Sequence, residues 1–155
     1  MALKTMIENL NKARKNYEDQ LKELGKDSQA AVSEFLAPHI PPGFVLQWAQ
    51  YTPYFNDGEA CIFRVGEPFL IKIPETGIGD LHRYSEENDD CVSKYETKGR
   101  FDDAMIVEGL TVGQARAAFK AWDELPEDLL EAAFGDHVKV NVTSTSYDVD
   151  EYEHD

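Results

Sequence analysis

The sequence predicts an α+β domain: an N-terminal α-hairpin, an antiparallel sheet of about four strands, and two C-terminal helices packed on one face. Three observations carry this. Residues 3–37 repeat with helical period, residues 44–73 and 137–147 alternate as strands do, and a helix-start signal at Thr111 opens a second helical stretch that runs to 135. With 155 residues, 42% hydrophobic and 11% of them aromatic, the chain has enough apolar mass for one core and too little for two. Residues 1–147 are therefore expected to form a single domain, followed by an acidic tail over 148–155 that frays.

In the first helix Leu3, Ile7, Leu10, Tyr17, Leu21 and Leu24 recur at alternating spacings of four and three, the seam of a heptad, with Arg14 in the one position that is not apolar. Gly25 stands where a C-cap glycine would. So narrow a stripe suits one partner helix, either residues 27–37 of the same chain or a second copy of the first helix. The second helix is expected to bury Ala31, Val32, Phe35 and Leu36 and to stop before Pro38, since proline disfavours helical geometry in the residue before it.

After Pro41-Pro42-Gly43 the pattern becomes extended. Phe44–Ile73 reads as a three-stranded meander, with turns at Asn56-Asp57-Gly58 and Gly66-Glu67-Pro68. Residues 74–109 are irregular, with one short strand expected near Cys91–Lys98. Thr111 and Gln114 have capping-box spacing for a helix that buries Val112, Ala115, Phe119, Trp122 and Leu125. A further helix begins at Pro126 and ends at Gly135, burying Leu129, Leu130, Ala133 and Phe134, and Val138, Val140 and Val142 mark the final strand.

Charge narrows the classes of function. The formal net charge is −15, yet residues 1–26 sum to +2, which leaves −17 on the rest. Such a body repels phosphate backbones and anionic membranes and favours a basic surface on a partner protein. No apolar run reaches membrane-spanning length, the first residues lack a signal-peptide pattern, and Cys61 and Cys91 are too few for a disulfide framework. A cytoplasmic setting is expected.

The residues give little catalytic chemistry. Cys91 lies beside acids that raise a thiol's pKa, and Gly77-Ile-Gly79 is too short to cradle a phosphate. Asp80, His82, Asp89, Asp90 and Cys91, or Asp136, His137 and His154, lack the spacing that fixes metal ligands. Neither metal nor cofactor is expected.

The segment Trp48-Ala-Gln-Tyr-Thr-Pro-Tyr-Phe-Asn-Asp-Gly-Glu59, together with Phe134-Gly-Asp-His-Val-Lys139 and a short strand running into an acidic tail, resembles a group of small acidic proteins encoded by tailed bacteriophages and their prophages. The likeness covers about half of the chain. It implies a phage-associated accessory protein in the cytoplasm of a bacterial host and brings no catalytic residues with it.

The leading expectation is a non-enzymatic binding protein that inhibits a host defence or nucleic-acid-binding protein by charge mimicry, through Glu86, Glu87, Asp89, Asp90, Asp148, Asp150 and Glu151. A second reading is a small-molecule or nucleotide site in which Trp48, Tyr51, Tyr54 and Phe55 form a stacking wall and Arg64 or Arg83 meets an anion. A third is a homo-oligomer assembled through Leu3, Ile7, Leu10, Tyr17, Leu21 and Leu24.

Overall fold

A computed structural model describes residues 2–24, 27–53, 61–73 and 91–152. Its helices are α1 (Leu3–Leu24), α2 (Ser28–Leu36), α3 (Val112–Asp123) and α4 (Glu127–Phe134). Its strands are β1 (Phe44–Tyr51), β2 (Arg64–Val65), β3 (Phe69–Lys72), β4 (Cys91–Ser93), β5 (Met105–Val107), β6 (Leu110–Thr111), β7 (Val138–Val142) and β8 (Tyr147–Glu151). The α+β class holds. The antiparallel sheet is larger than expected, with β4-β3-β1-β7-β8 in spatial order and β2 also paired to β1, while β5 and β6 form a separate hairpin.

One face of the sheet carries the main core. Phe44, Leu46 and Trp48 of β1, Leu70 of β3, Val92 of β4, and Val140 and Val142 of β7 point to it, and α2, α3 and α4 cover it with Val32, Leu36, Ala115, Phe119, Leu130 and Phe134. Val45 and Ile71 are buried on the other face with Phe69, Ile73 and Cys91 beside them, so β1 is buried on both faces from Phe44 to Trp48. The expected capping box is present: the Thr111 hydroxyl accepts from the Gln114 amide at 3.2 Å and the Gln114 side chain accepts from the Thr111 amide at 2.9 Å.

The meander is corrected. Gly66-Glu67-Pro68 is a bulge and not a turn: β2 and β3 both run along β1, with Gln50 opposite Val65 and Gln47 opposite Phe69, so three residues on one side face two on the other. The Gly66 amide donates to the Ala49 carbonyl at 2.7 Å, and a Cβ on Gly66 would stand 3.1 Å from that oxygen. Pro68 has no N–H to lose from a ladder, which suits it to this place. The expected turn at 56–58 lies outside the described residues.

Three further expectations change. The tail does not fray from 148, because Tyr147–Glu151 pairs with β7 residue for residue, Val149 opposite Val140 and Asp150 opposite Lys139. A tight corner sets this up: the Thr143 amide donates to the Ser146 carbonyl at 2.8 Å, and the Ser146 amide donates to Thr143 Oγ1 at 2.9 Å. Residues 105–109, the end of the stretch read as irregular, join Leu110 and Thr111 in the β5–β6 hairpin around Gly109, whose φ of 85° is open chiefly to glycine. In α2 the buried face is Ser28, Val32, Ser33 and Leu36, whereas Ala31 and Phe35 are exposed.

The largest correction concerns α1, which does not form a hairpin with α2. Its neighbour is α4, reached through its C-terminal half, where the Tyr17 hydroxyl donates to Asp128 at 3.4 Å. Its N-terminal half is exposed, with Leu3 and Leu10 at 70% and 66%.

Candidate functional site

Three surfaces could support function, and the expected residues distribute unevenly among them. The first is α1 itself. At 1.5 Å per residue its 22 residues extend about 33 Å, and its apolar seam, Leu3, Ile7 and Leu10 above all, faces solvent. Monomeric proteins seldom leave a contiguous apolar strip of that kind uncovered.

Where the seam reaches the body it borders a groove between α1 and α4, lined by Arg14, Tyr17, Glu18, Leu21, Asp128, Glu131 and Ala132 and about 470 Å³ in volume. Glu127, Asp128 and Glu131 fall on the outer face of α4 because Leu130, Ala133 and Phe134 take its inner face. Their charges accumulate there. Partial burial, followed by repulsion from Asp136, Asp128 and Glu127, pushes the Glu131 carboxyl above its ordinary range. Asp136 moves the other way: burial opposes its charge, but hydrogen bonds from the Thr52 hydroxyl and amide and from the His137 amide, with His137 nearby, outweigh that and hold its carboxyl low. Thr52 donates twice to this carboxylate at 2.7 Å, tying the end of β1 to the α4–β7 turn.

The second surface is the expected anionic one, and it is divided. Asp148 and Asp150 lie on the sheet face away from the helices, opposite Asn141 and Lys139, while Glu151 faces the other way opposite Val138. Asp150 also accepts a hydrogen bond from the Asn141 side chain at 3.2 Å. Glu86, Glu87, Asp89 and Asp90 lie outside the described residues. Among the described residues Glu127, Asp128 and Glu131 form an acidic ridge on α4 that sequence reasoning missed, and its signal was their spacing along one helix face.

The third is a cleft of about 580 Å³ on the sheet face away from the helices. Gln47, Tyr51, Phe69, Tyr95, Lys139 and Tyr152 are among its walls. The Tyr51 and Tyr152 rings pack together with centroids 5.5 Å apart, and Lys139 Nζ sits 5.4 Å from the Tyr152 ring centre. Arg64 stands opposite Tyr51 in the β1–β2 register. Trp48 does not belong to a stacking wall: its ring points to the helical core, 1% exposed, edge-on to Trp122 and Phe134 at 6.1 and 5.8 Å. Alternation along the strand sends Trp48 to one face and Tyr51 to the other. Tyr54, Phe55 and Arg83 lie outside the described residues, and Phe69, Lys139 and Tyr152 enter only because β3, β7 and β8 converge here.

No protein-family model, curated protein or solved structure matches the chain. Its function is therefore read from its own surfaces. Among the described residues no group of three or more His, Cys, Asp or Glu side chains is placed to hold a metal ion. No described helix is long and apolar enough to cross a membrane.

Proposed function

We propose that this chain is a non-enzymatic binding protein that docks a protein partner on the seam of α1 and the acidic ridge of α4 beside it. The observation that carries this is the uncovered apolar strip on a helix the body does not need for its core. Leu3, Ile7 and Leu10 offer burial, and Glu18, Asp128 and Glu131 offer charge to a partner that is apolar and basic at once. The resemblance to phage-encoded acidic proteins supports the same class of action, in which a partner, for instance a host protein with a basic surface, is occupied and no substrate is turned over.

The test is removal of the docking helix. A chain that begins at Asp27 is expected to melt within about 4 °C of the full chain, the shift of about 1 kcal/mol in a domain of this size, because none of the described core residues belongs to α1. Complexes formed by the full chain, whether with itself or with another protein, should be absent from its sedimentation profile. Complexes that persist without α1 would overturn the docking reading.

A second reading rests on the cleft over the outer sheet face, whose size and aromatic lining suit a small planar ligand with an anionic group near Lys139 or Arg64. A nucleotide panel at millimolar concentration should then raise Tm, with the gain abolished by Lys139→Ala. A panel without any shift removes this reading.

A further inference from the structure

We infer that the partner docked on α1 is a second copy of this chain, paired with it antiparallel about a two-fold axis near residue 12, so that each copy's Leu3–Leu10 segment lies on the other's Arg14–Leu21 segment and its groove beside α4. This rests on the docking reading above and adds the identity and direction of the partner.

Self-complementarity is the first ground. A two-fold interface requires that whatever one segment needs, another segment of the same chain supplies. The N-terminal half of α1 has an exposed apolar seam, while the C-terminal half borders a groove already walled on one side by α4. Aligned antiparallel, the seam pairs Leu3 with Leu21, Ile7 with Tyr17 and Leu10 with Arg14 of the second copy, and each pair occurs twice. Six layers close; the register one heptad along also closes six, pairing Ile7 with Leu24, Leu10 with Leu21 and Arg14 with Tyr17, but it leaves Leu3 without a partner layer and moves the axis to between residues 15 and 16, into the stretch that already borders α4.

Charge is the second ground, and it selects direction. In a parallel pair the two Arg14 side chains share one layer and repel. In the antiparallel pair each faces Leu10 of the other copy, with Asp128 and Glu131 of its own chain beside it in the groove. The flanking positions then set Lys4 against Glu18 of the second copy, twice, close to the ridge where Glu131 is crowded by Asp128 and Glu127. The antiparallel arrangement also sets the two α4 ridges apart along the helix axis, near positions 7 and 17, about 15 Å or roughly two screening lengths at physiological salt. Residues 1–26 sum to +2 and the remainder to −17, so two copies can approach along α1 without the repulsion that the rest of the chain carries.

The experiment uses the full chain with Cys61→Ser and Cys91→Ser, its melting matched to the parent. Sedimentation equilibrium should give a dimer. Asn11 sits at the two-fold axis on the flank of the seam, so Asn11→Cys should couple to itself under mild oxidation. Lys4→Glu should weaken dimerisation about fivefold, and adding Glu18→Lys should restore it, since both ion pairs are then rebuilt in reverse. A chain that remains monomeric up to about 100 μM overturns the inference. So does a dimer in which Asn11→Cys fails to couple or the charge swap fails to rescue. If α1 instead proves necessary for binding a different protein, the second-copy inference falls and the docking reading stands.

Discussion

Gln50→Leu is expected to lower the unfolding free energy by about 4 kcal/mol, read as a shift in the urea midpoint, while side-chain volume stays nearly constant. Gln50 is wholly buried at the end of β1, and each of its polar atoms has a partner. Its Nε2 donates to the Leu130 carbonyl at 2.8 Å and to the Gly135 carbonyl at 2.7 Å, and its Oε1 accepts from Trp48 Nε1 at 3.0 Å. The Gly135 carbonyl lies just past the last turn of α4, where backbone oxygens lack helical partners, and the Leu130 carbonyl lies one turn earlier. Leucine fills the space but removes the side-chain partner of the Gly135 carbonyl and of the Trp48 indole N–H, at roughly 1–3 kcal/mol for each such group, and leaves the Leu130 carbonyl with its helical bond alone. A domain of ordinary stability has only about 5–15 kcal/mol to lose. A drop below about 1 kcal/mol would show that β1 and α4 are not joined through this amide.

Trp48→Ala should cost about as much, roughly 3–5 kcal/mol, through the cavity left among Trp122, Phe134 and the strands. The comparison that matters is with Tyr51→Ala, three residues along the strand and half-buried in the outer cleft. Thermal and urea denaturation should separate the two, Trp48→Ala losing most of the fold's margin and Tyr51→Ala much less. Equal losses would contradict the assignment of Trp48 to the core and Tyr51 to the cleft. The indole also supplies the Gln50 hydrogen bond, so the two core substitutions should combine with less than additive cost.

Local signals in the chain settled a good deal. Helical period marked α1, α3 and α4, the Thr111–Gln114 spacing marked a helix start, and alternation marked β1, β3 and β7, because side-chain direction follows backbone period without reference to distant residues. The heptad seam of α1 was legible for the same reason, and so was the near neutrality that sets this helix apart from the rest of the chain. Tertiary structure decided everything that depends on what lies opposite. Tyr147–Glu151 has a single inward valine among acids, and it is a strand because β7 offers it a ladder and the Thr143–Ser146 corner aims it there. Gly66-Glu67-Pro68 has the composition of a turn, and it is a bulge because β1 continues past it and holds both flanks. Four aromatics close together in sequence looked like one surface, yet strand alternation divides Trp48 from Tyr51, and the cleft draws its other walls from three strands far apart in the chain. Whether a seam is covered by its own chain is likewise a fact about neighbours: α2 turned its apolar face to the sheet, α4 met the C-terminal half of α1, and Leu3, Ile7 and Leu10 stayed exposed.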